Sequence, residues 1–180
     1  MTDPVLVACL QTRPMASFDA AIDEALTLLD EAVARGASLV FLPEYAGGLA
    51  SQGPKLAPPV APDGAHPFVE AMQRAALETS VWILIGSVAV EGPSGMIINR
   101  GYLINDQGQI RGHYDKIHMF DIQLSETEVY RESATVVPGA EAVLLATPFG
   151  TIGHTICYDL RFPDLYRALA QGGAELLAAP

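Results

Sequence analysis

Two short runs constrain the fold of this chain more than any other feature: Leu39-Val40-Phe41-Leu42 and Val81-Trp82-Ile83-Leu84-Ile85 contain no polar residue. Successive side chains of a strand point to opposite faces, so a strand with one wet face alternates polar and apolar residues. Unbroken apolar runs of four or five residues are therefore strands covered on both sides. Each follows a helix pattern. Ser17 caps a predicted helix to about residue 35, with Ile22, Leu26, Leu29 and Val33 on one face and Gly36 as its stop. A second predicted helix covers residues 66–79, with Phe68, Met72 and Ala75 or Ala76 inward.

Other strands are expected at residues 5–10, 97–104, 109–114, 142–147, 151–156 and 174–179. The turns Gly92-Pro93-Ser94-Gly95, Asn105-Asp106-Gln107-Gly108 and Pro148-Phe149-Gly150 join neighbouring pairs. A third helix over residues 163–171 has Pro163 in its first turn and Gly172-Gly173 at its end. Residues 46–64 and 117–138 lack a period and are expected to be long loops. With 180 residues, half of them hydrophobic, and no repeat or linker, the pattern is one α/β domain. Helices cover a mixed sheet, and a second sheet packed face to face fits equally well.

Net charge −11 with only 10 Lys and Arg excludes a basic stripe for nucleic acid and disfavours an anionic membrane. There is no apolar run of membrane-spanning length, and Met1-Thr2-Asp3-Pro4 does not begin a leader, so an unprocessed cytoplasmic protein is expected. Cys9 and Cys157 are then free thiols. Neither these nor the four histidines have zinc-site spacing, and no glycine pattern cradles phosphate, so no metal or cofactor is expected.

Three reactive groups fall at strand ends. Cys157 follows the run to Ile156 and precedes a helix pattern, a corner where a thiol meets substrate beside free amide N–H groups. The positive helix end and a nearby ammonium are expected to leave it partly ionised, with a pKa of about 3.5–7.5. Glu44 follows Phe41-Leu42-Pro43, where a partly desolvated carboxylate can shuttle protons. Lys116, flanked by Tyr114 and Ile117, can stabilise an oxyanion, or pair with Asp115 at the surface. His154 lies three residues before Cys157 and so faces away from it. His66, His113 and His118 are read as structural or solvated. Glu132 is either a surface charge or a carboxylate orienting Lys116. Arg161 either recognises a substrate carboxylate or pairs with Asp159 or Asp164. Cys9 is read as a core residue.

Taken together, Phe41-Leu42-Pro43-Glu44, the Asp-Lys-x-His-hydrophobic-Phe-Asp string at Asp115 to Asp121, and the Gly-x-x-Ile-Cys-Tyr-Asp-x-Arg-Phe-Pro string from Gly153 resemble the nitrilase (carbon–nitrogen hydrolase) superfamily. Their order and spacing also agree, and the likeness covers the whole chain. The resemblance implies a four-layer α-β-β-α sandwich, its C-terminal portion missing here, that dimerises. It implies a Glu-Lys-Cys triad: Glu44 as general base and acid, Lys116 as oxyanion stabiliser and Cys157 as nucleophile. Glu132 falls where the family often has an additional active-site Glu, and the Tyr158 N–H would be the second oxyanion donor. The variants His118-Met119-Phe120-Asp121 and Tyr158-Asp159-Leu160-Arg161-Phe162-Pro163 look most like the Nit1/Nit2-like amidase branch. Those enzymes act on short carboxylate-bearing amides such as ω-amides of 2-oxo acids or deaminated glutathione.

The expected function is thus hydrolysis of a non-peptide C–N bond through a Cys157 thioester, with release of ammonia. The rivals are a nitrilase or N-carbamoyl hydrolase using the same residues, and a catalytically silent module that binds a partner.

Overall fold

The Ser17 hydroxyl accepts the Ala20 N–H at 3.4 Å and opens α1 (Phe18–Ala34), which Gly36 closes in a left-handed conformation. The computed structural model describes residues 4–52, 55–126 and 128–180. Three residues of the start read for a leader, Met1 to Asp3, lie outside the described residues. So do Gly53 and Pro54 of the first expected loop and Thr127 of the second. The buried face of α1 is Ala21, Ala25, Leu29 and Ala32, while Ile22, Leu26 and Val33 are only partly buried at its flanks. Methyl-sized residues at the centre let α1 lie close to the second helix, α2 (Pro67–Thr79), which buries Phe68, Met72, Ala75 and Ala76 as expected.

In chain order the strands of the first sheet are β1 (Val7–Cys9), β2 (Leu39–Phe41), β5 (Val60–Ala61), β6 (Trp82–Glu91), β7 (Ile97–Ile104) and β8 (Ile110–Asp115). They lie in the order β1-β2-β6-β7-β8, with β5 along the far half of β6. Pairing is parallel from β1 to β6 and antiparallel from β6 to β8. Between β2 and β5 lies a short hairpin, β3 (Ala50–Gln52) with β4 (Lys55–Ala57), so the expected 46–64 loop carries three strands. The expected 117–138 loop likewise holds a hairpin, β9 (Asp121–Gln123) and β10 (Val129–Arg131), and a 3₁₀ turn at Glu132–Ala134. Strands of three residues are too short to show alternation, which is why sequence periodicity missed them.

The second sheet is β11 (Val143–Thr147), β12 (Gly150–His154) and β13 (Leu176–Ala178). The apolar runs now have their explanation. Val40, Ile83 and Ile85 face α1 and α2, whereas Leu39 and Leu84 join Leu103 against Leu145, Ile152 and Ala178 of the second sheet. On the outer side of that sheet, α3 (Pro163–Gln171) packs Leu169 so close that a Cβ on Gly153 would sit 3.2 Å from it. The layers are helices, sheet, sheet, helix, the α-β-β-α arrangement.

Candidate active site

Each of the three strand ends delivers its side chain to one place. Glu44 follows β2 by three residues, Lys116 follows β8 directly, and Cys157 follows β12 by three. Glu44 and Lys116 are set side by side by the main chain between them. The Lys116 N–H donates to the Asn99 carbonyl at 3.0 Å, and Asn99 on β7 is fully buried. Its Nδ2 donates to Glu44 Oε1 at 2.8 Å. Lys116 Nζ donates to the same Oε1 at 2.9 Å and to Glu132 Oε1 at 3.0 Å. Only 2% of the Lys116 side chain is exposed. Asp115, its neighbour, is taken by a two-pronged pair with Arg100, from Nε at 2.6 Å and Nη2 at 2.8 Å. Lys116 therefore does not pair with Asp115. An ammonium so far from water needs its carboxylates. Burial pulls the Lys116 pKa down, but Glu44 and Glu132 outweigh it and hold the pKa above the ordinary value.

Glu132 starts the 3₁₀ turn after β10, and its second oxygen accepts the Phe120 N–H at 2.6 Å. It is a bridge between the Lys116 ammonium and the β9–β10 loop, and not a surface charge. Asn99 was missed by sequence reasoning. The signal present was a lone amide inside the apolar strand after Ile97-Ile98, whose side chain has to be satisfied if buried.

Cys157 opens a five-residue 3₁₀ turn (Cys157–Arg161), not a full helix, and reaches solvent. Its φ of 47° is left-handed, as is that of Tyr45 (φ 51°), the residue after Glu44. Non-glycine residues held there cost about 1–3 kcal/mol and persist only where surrounding bonds dictate them. Here the Cys157 N–H donates to the Pro180 carbonyl at 2.8 Å, and the Tyr45 N–H to Ser87 Oγ at 2.9 Å. Enclosure by neighbouring atoms and then the Glu44 carboxylate push the thiol up to about 11, against a smaller opposing pull from Lys116. The expected partly ionised thiol is thus corrected: two carboxylates outnumber one ammonium here, and a five-residue turn has little dipole to oppose them. The Tyr158 N–H, one residue on, makes no hydrogen bond among the described residues.

Asp159 is fully buried and accepts four hydrogen bonds. Oδ2 takes the Ile156 N–H at 2.9 Å and the Tyr114 hydroxyl at 2.7 Å, and Oδ1 takes the His118 N–H at 3.0 Å and its Nδ1 at 2.7 Å. Arg161 is exposed and pairs with neither Asp159 nor Asp164, whose partner is Arg167 at 3.6 Å. The ion-pair reading of Arg161 is set aside because Asp159 is already saturated from the interior. The His118 ring stacks on Phe162 at 3.6 Å, while His113 is exposed. His66 is buried edge-on to Phe18, and burial lowers its pKa to about 4. His154 points between the sheets, its Nε2 3.2 Å from the Gly86 carbonyl. Cys9 is exposed, not a core residue, because β1 lies at the sheet's edge. It borders an apolar cleft of about 480 Å³ lined also by Phe41, Pro43, Leu177 and Pro180.

A profile of the carbon–nitrogen hydrolase family matches residues 6–180. The chain is 37% identical to the deaminated glutathione amidase of Synechocystis sp., over 98% of its own length and 66% of that protein. It is 31% identical to the human omega-amidase NIT2, over 88% of its length and 56% of that protein. It therefore spans about two thirds or less of the length of these relatives. Among solved structures, the yeast Nit3 protein of branch 10 of the nitrilase superfamily superposes with a TM-score of 0.80 at 26% identity, over 97% of this chain and 63% of that one. The Caenorhabditis elegans NitFhit protein superposes at 0.79 with 23% identity, over 97% and 42%. Through its profile, its relatives and its layers, this chain belongs to the carbon–nitrogen hydrolase family.

Proposed function

We propose that this chain carries the catalytic groups of an amidohydrolase that cleaves the C–N bond of a small carboxylate-bearing amide through a thioester on Cys157. The observation that carries the reading is the buried Lys116 ammonium held between Glu44 and Glu132, with a solvent-reaching thiol in interaction range of all three.

The nucleophile starts as a neutral thiol, so its proton must leave as sulfur attacks. Glu44 is the acceptor. Its Oε1 is engaged by Lys116 and Asn99, which leaves Oε2 for the proton. The tetrahedral oxyanion then forms near the Lys116 ammonium and the unpaired Tyr158 N–H, which stabilise its charge. Protonated Glu44 hands its proton to the departing nitrogen, and ammonia leaves. Glu44 next takes a proton from water as it attacks the thioester; the C–S bond then breaks, the acid is freed, and Glu44 returns the proton to the Cys157 sulfur. Glu132 keeps Lys116 charged and aimed while Glu44 cycles between its two states. Exposed Arg161, four residues from the sulfur, is our candidate for the substrate carboxylate. No helix among the described residues is long and apolar enough to cross a membrane. From the family resemblance alone we place the enzyme in the cytoplasm, as a homodimer. We read residues 1–180 as the N-terminal portion of one carbon–nitrogen hydrolase domain. The names of its relatives, deaminated glutathione amidase and omega-amidase, support amides over nitriles or carbamoyl groups.

The test is ammonia release from a panel of ω-amides of 2-oxo acids, deaminated glutathione, nitriles and N-carbamoyl amino acids. Turnover of the amides, an acyl adduct on Cys157 by mass spectrometry, and loss of both in Cys157→Ala are expected. Ammonia release that survives Cys157→Ala would refute the mechanism, and turnover of the nitriles or carbamoyl compounds alone would move the substrate class.

A further inference from the structure

Among the buried ionisable groups that the mechanism does not use, Asp159 lies nearest in sequence to the sulfur. Asp159 touches no reacting atom, yet it accepts four hydrogen bonds, one from the Cys157 corner and three from the segment around Lys116. The Ile156 N–H comes from the residue just before Cys157. The others come from Tyr114 and His118, which stand two positions before and two after Lys116. We propose that Asp159 is a positioning residue, a buried carboxylate latch that ties the left-handed Cys157 corner to the strand end bearing Lys116 and so keeps sulfur and ammonium at a set separation.

The connectivity favours a latch over simple packing. A carboxylate accepts only, and every group offered to Asp159 is an N–H or O–H, so it binds both parts at once. The corner has few other ties. Asp159 returns its own N–H to the Ile156 carbonyl, and Cys157 is otherwise held by Pro180. Lys116 belongs to the other body, since its N–H and carbonyl bond Asn99 and Gly139. The two bodies come from different sheets, β8 of the first and β12 of the second. Nothing covalent fixes their distance, and Asp159 spans the gap. His118 is braced in turn by its stack on Phe162, at the far end of the same 3₁₀ turn.

The inference rests on the reading of Cys157 and Lys116 as a working pair, and the test separates the two. In a Cys9→Ala background, the rate of Cys157 alkylation by iodoacetamide is measured from pH 7 to 11, which needs no turnover. Among the described residues, the groups facing the sulfur are Glu44, Glu132 and Tyr45, with Lys116 as the one cation. Asp159→Asn keeps the volume but replaces one acceptor oxygen by an NH2 group, which meets N–H or O–H donors on either side and so loosens the latch. As Lys116 drifts from the sulfur, the alkylation midpoint should move up and the rate at pH 9 fall roughly tenfold, about one pKa unit. Exposed Asp164→Asn should change neither. Tyr114→Phe, which removes one of the four bonds, should move the midpoint the same way by less. A folded Asp159→Asn protein with the parental midpoint and rate would overturn the latch. If that variant does not fold, an unmoved midpoint in Tyr114→Phe overturns it instead. Failure to release ammonia from amides would touch the proposed reaction and leave this result standing.

Discussion

Acid should weaken this fold through His154, and by an amount that the structure sets. The ring is fully buried, its Nε2 donates to the Gly86 carbonyl across the two sheets, and Nδ1 has no partner among the described residues. Burial lowers its pKa from 6.5 to about 4. The folded pKa is the lower one, so between pH 6.5 and 4 the unfolded chain binds more protons than the folded chain. The stabilisation is complete above about pH 6.5 and is lost as pH falls towards 4. A gap of about 2.5 units at about 1.4 kcal/mol each is about 3.5 kcal/mol in full, of which about 2 kcal/mol is gone by pH 5. His154→Gln keeps a side-chain donor for Gly86 and abolishes the titration. Urea unfolding at pH 7.5 and 5.0 should show the wild type losing about 2 kcal/mol more than His154→Gln over that interval. His66, pushed to about 4 as well, is common to both proteins and cancels. Equal losses would refute the burial argument, and with it the assignment of His154 as a pin between sheets and not a base.

Three further outcomes follow from the same geometry. Lys116→Met leaves Glu44 and Glu132 facing each other without their cation and should destabilise the protein by about 3–5 kcal/mol, read by denaturant titration. Glu44→Gln removes the carboxylate that holds the thiol up, so iodoacetamide labelling of Cys157 at pH 8 should speed up roughly tenfold while ammonia release stops. Gly86→Ala would put a Cβ 2.3 Å from the Leu42 carbonyl oxygen and 2.5 Å from the Pro43 carbonyl, forcing the Glu44 strand end aside. More than about 2 kcal/mol of stability and nearly all activity should be lost together, read by melting and ammonia assays.

The apolar runs at Leu39 and Val81 dictate strands buried on both faces, whatever surrounds them, because no other placement hides four or five adjacent side chains. The caps at Ser17, Pro163 and Gly36 likewise act locally, so helix limits were legible from neighbours alone. The proposed site at Glu44, Lys116 and Cys157 was legible in part, as charged or nucleophilic groups at the ends of apolar runs. Their electrostatics was not. Whether Cys157 is thiol or thiolate depends on two carboxylates 113 and 25 residues away in the chain (157 minus 44 and 157 minus 132), and the helix dipole expected from the following pattern shrinks to that of a five-residue turn, too weak to offset them. Asn99 and Asp159 look ordinary in one dimension. Their weight comes from burial and from partners on other strands, which only packing supplies, because a hydrogen bond between residues 45 apart leaves no local trace. Local sequence determined the strands and helices of this protein, and the stacking of two sheets decided which polar groups would meet without water between them.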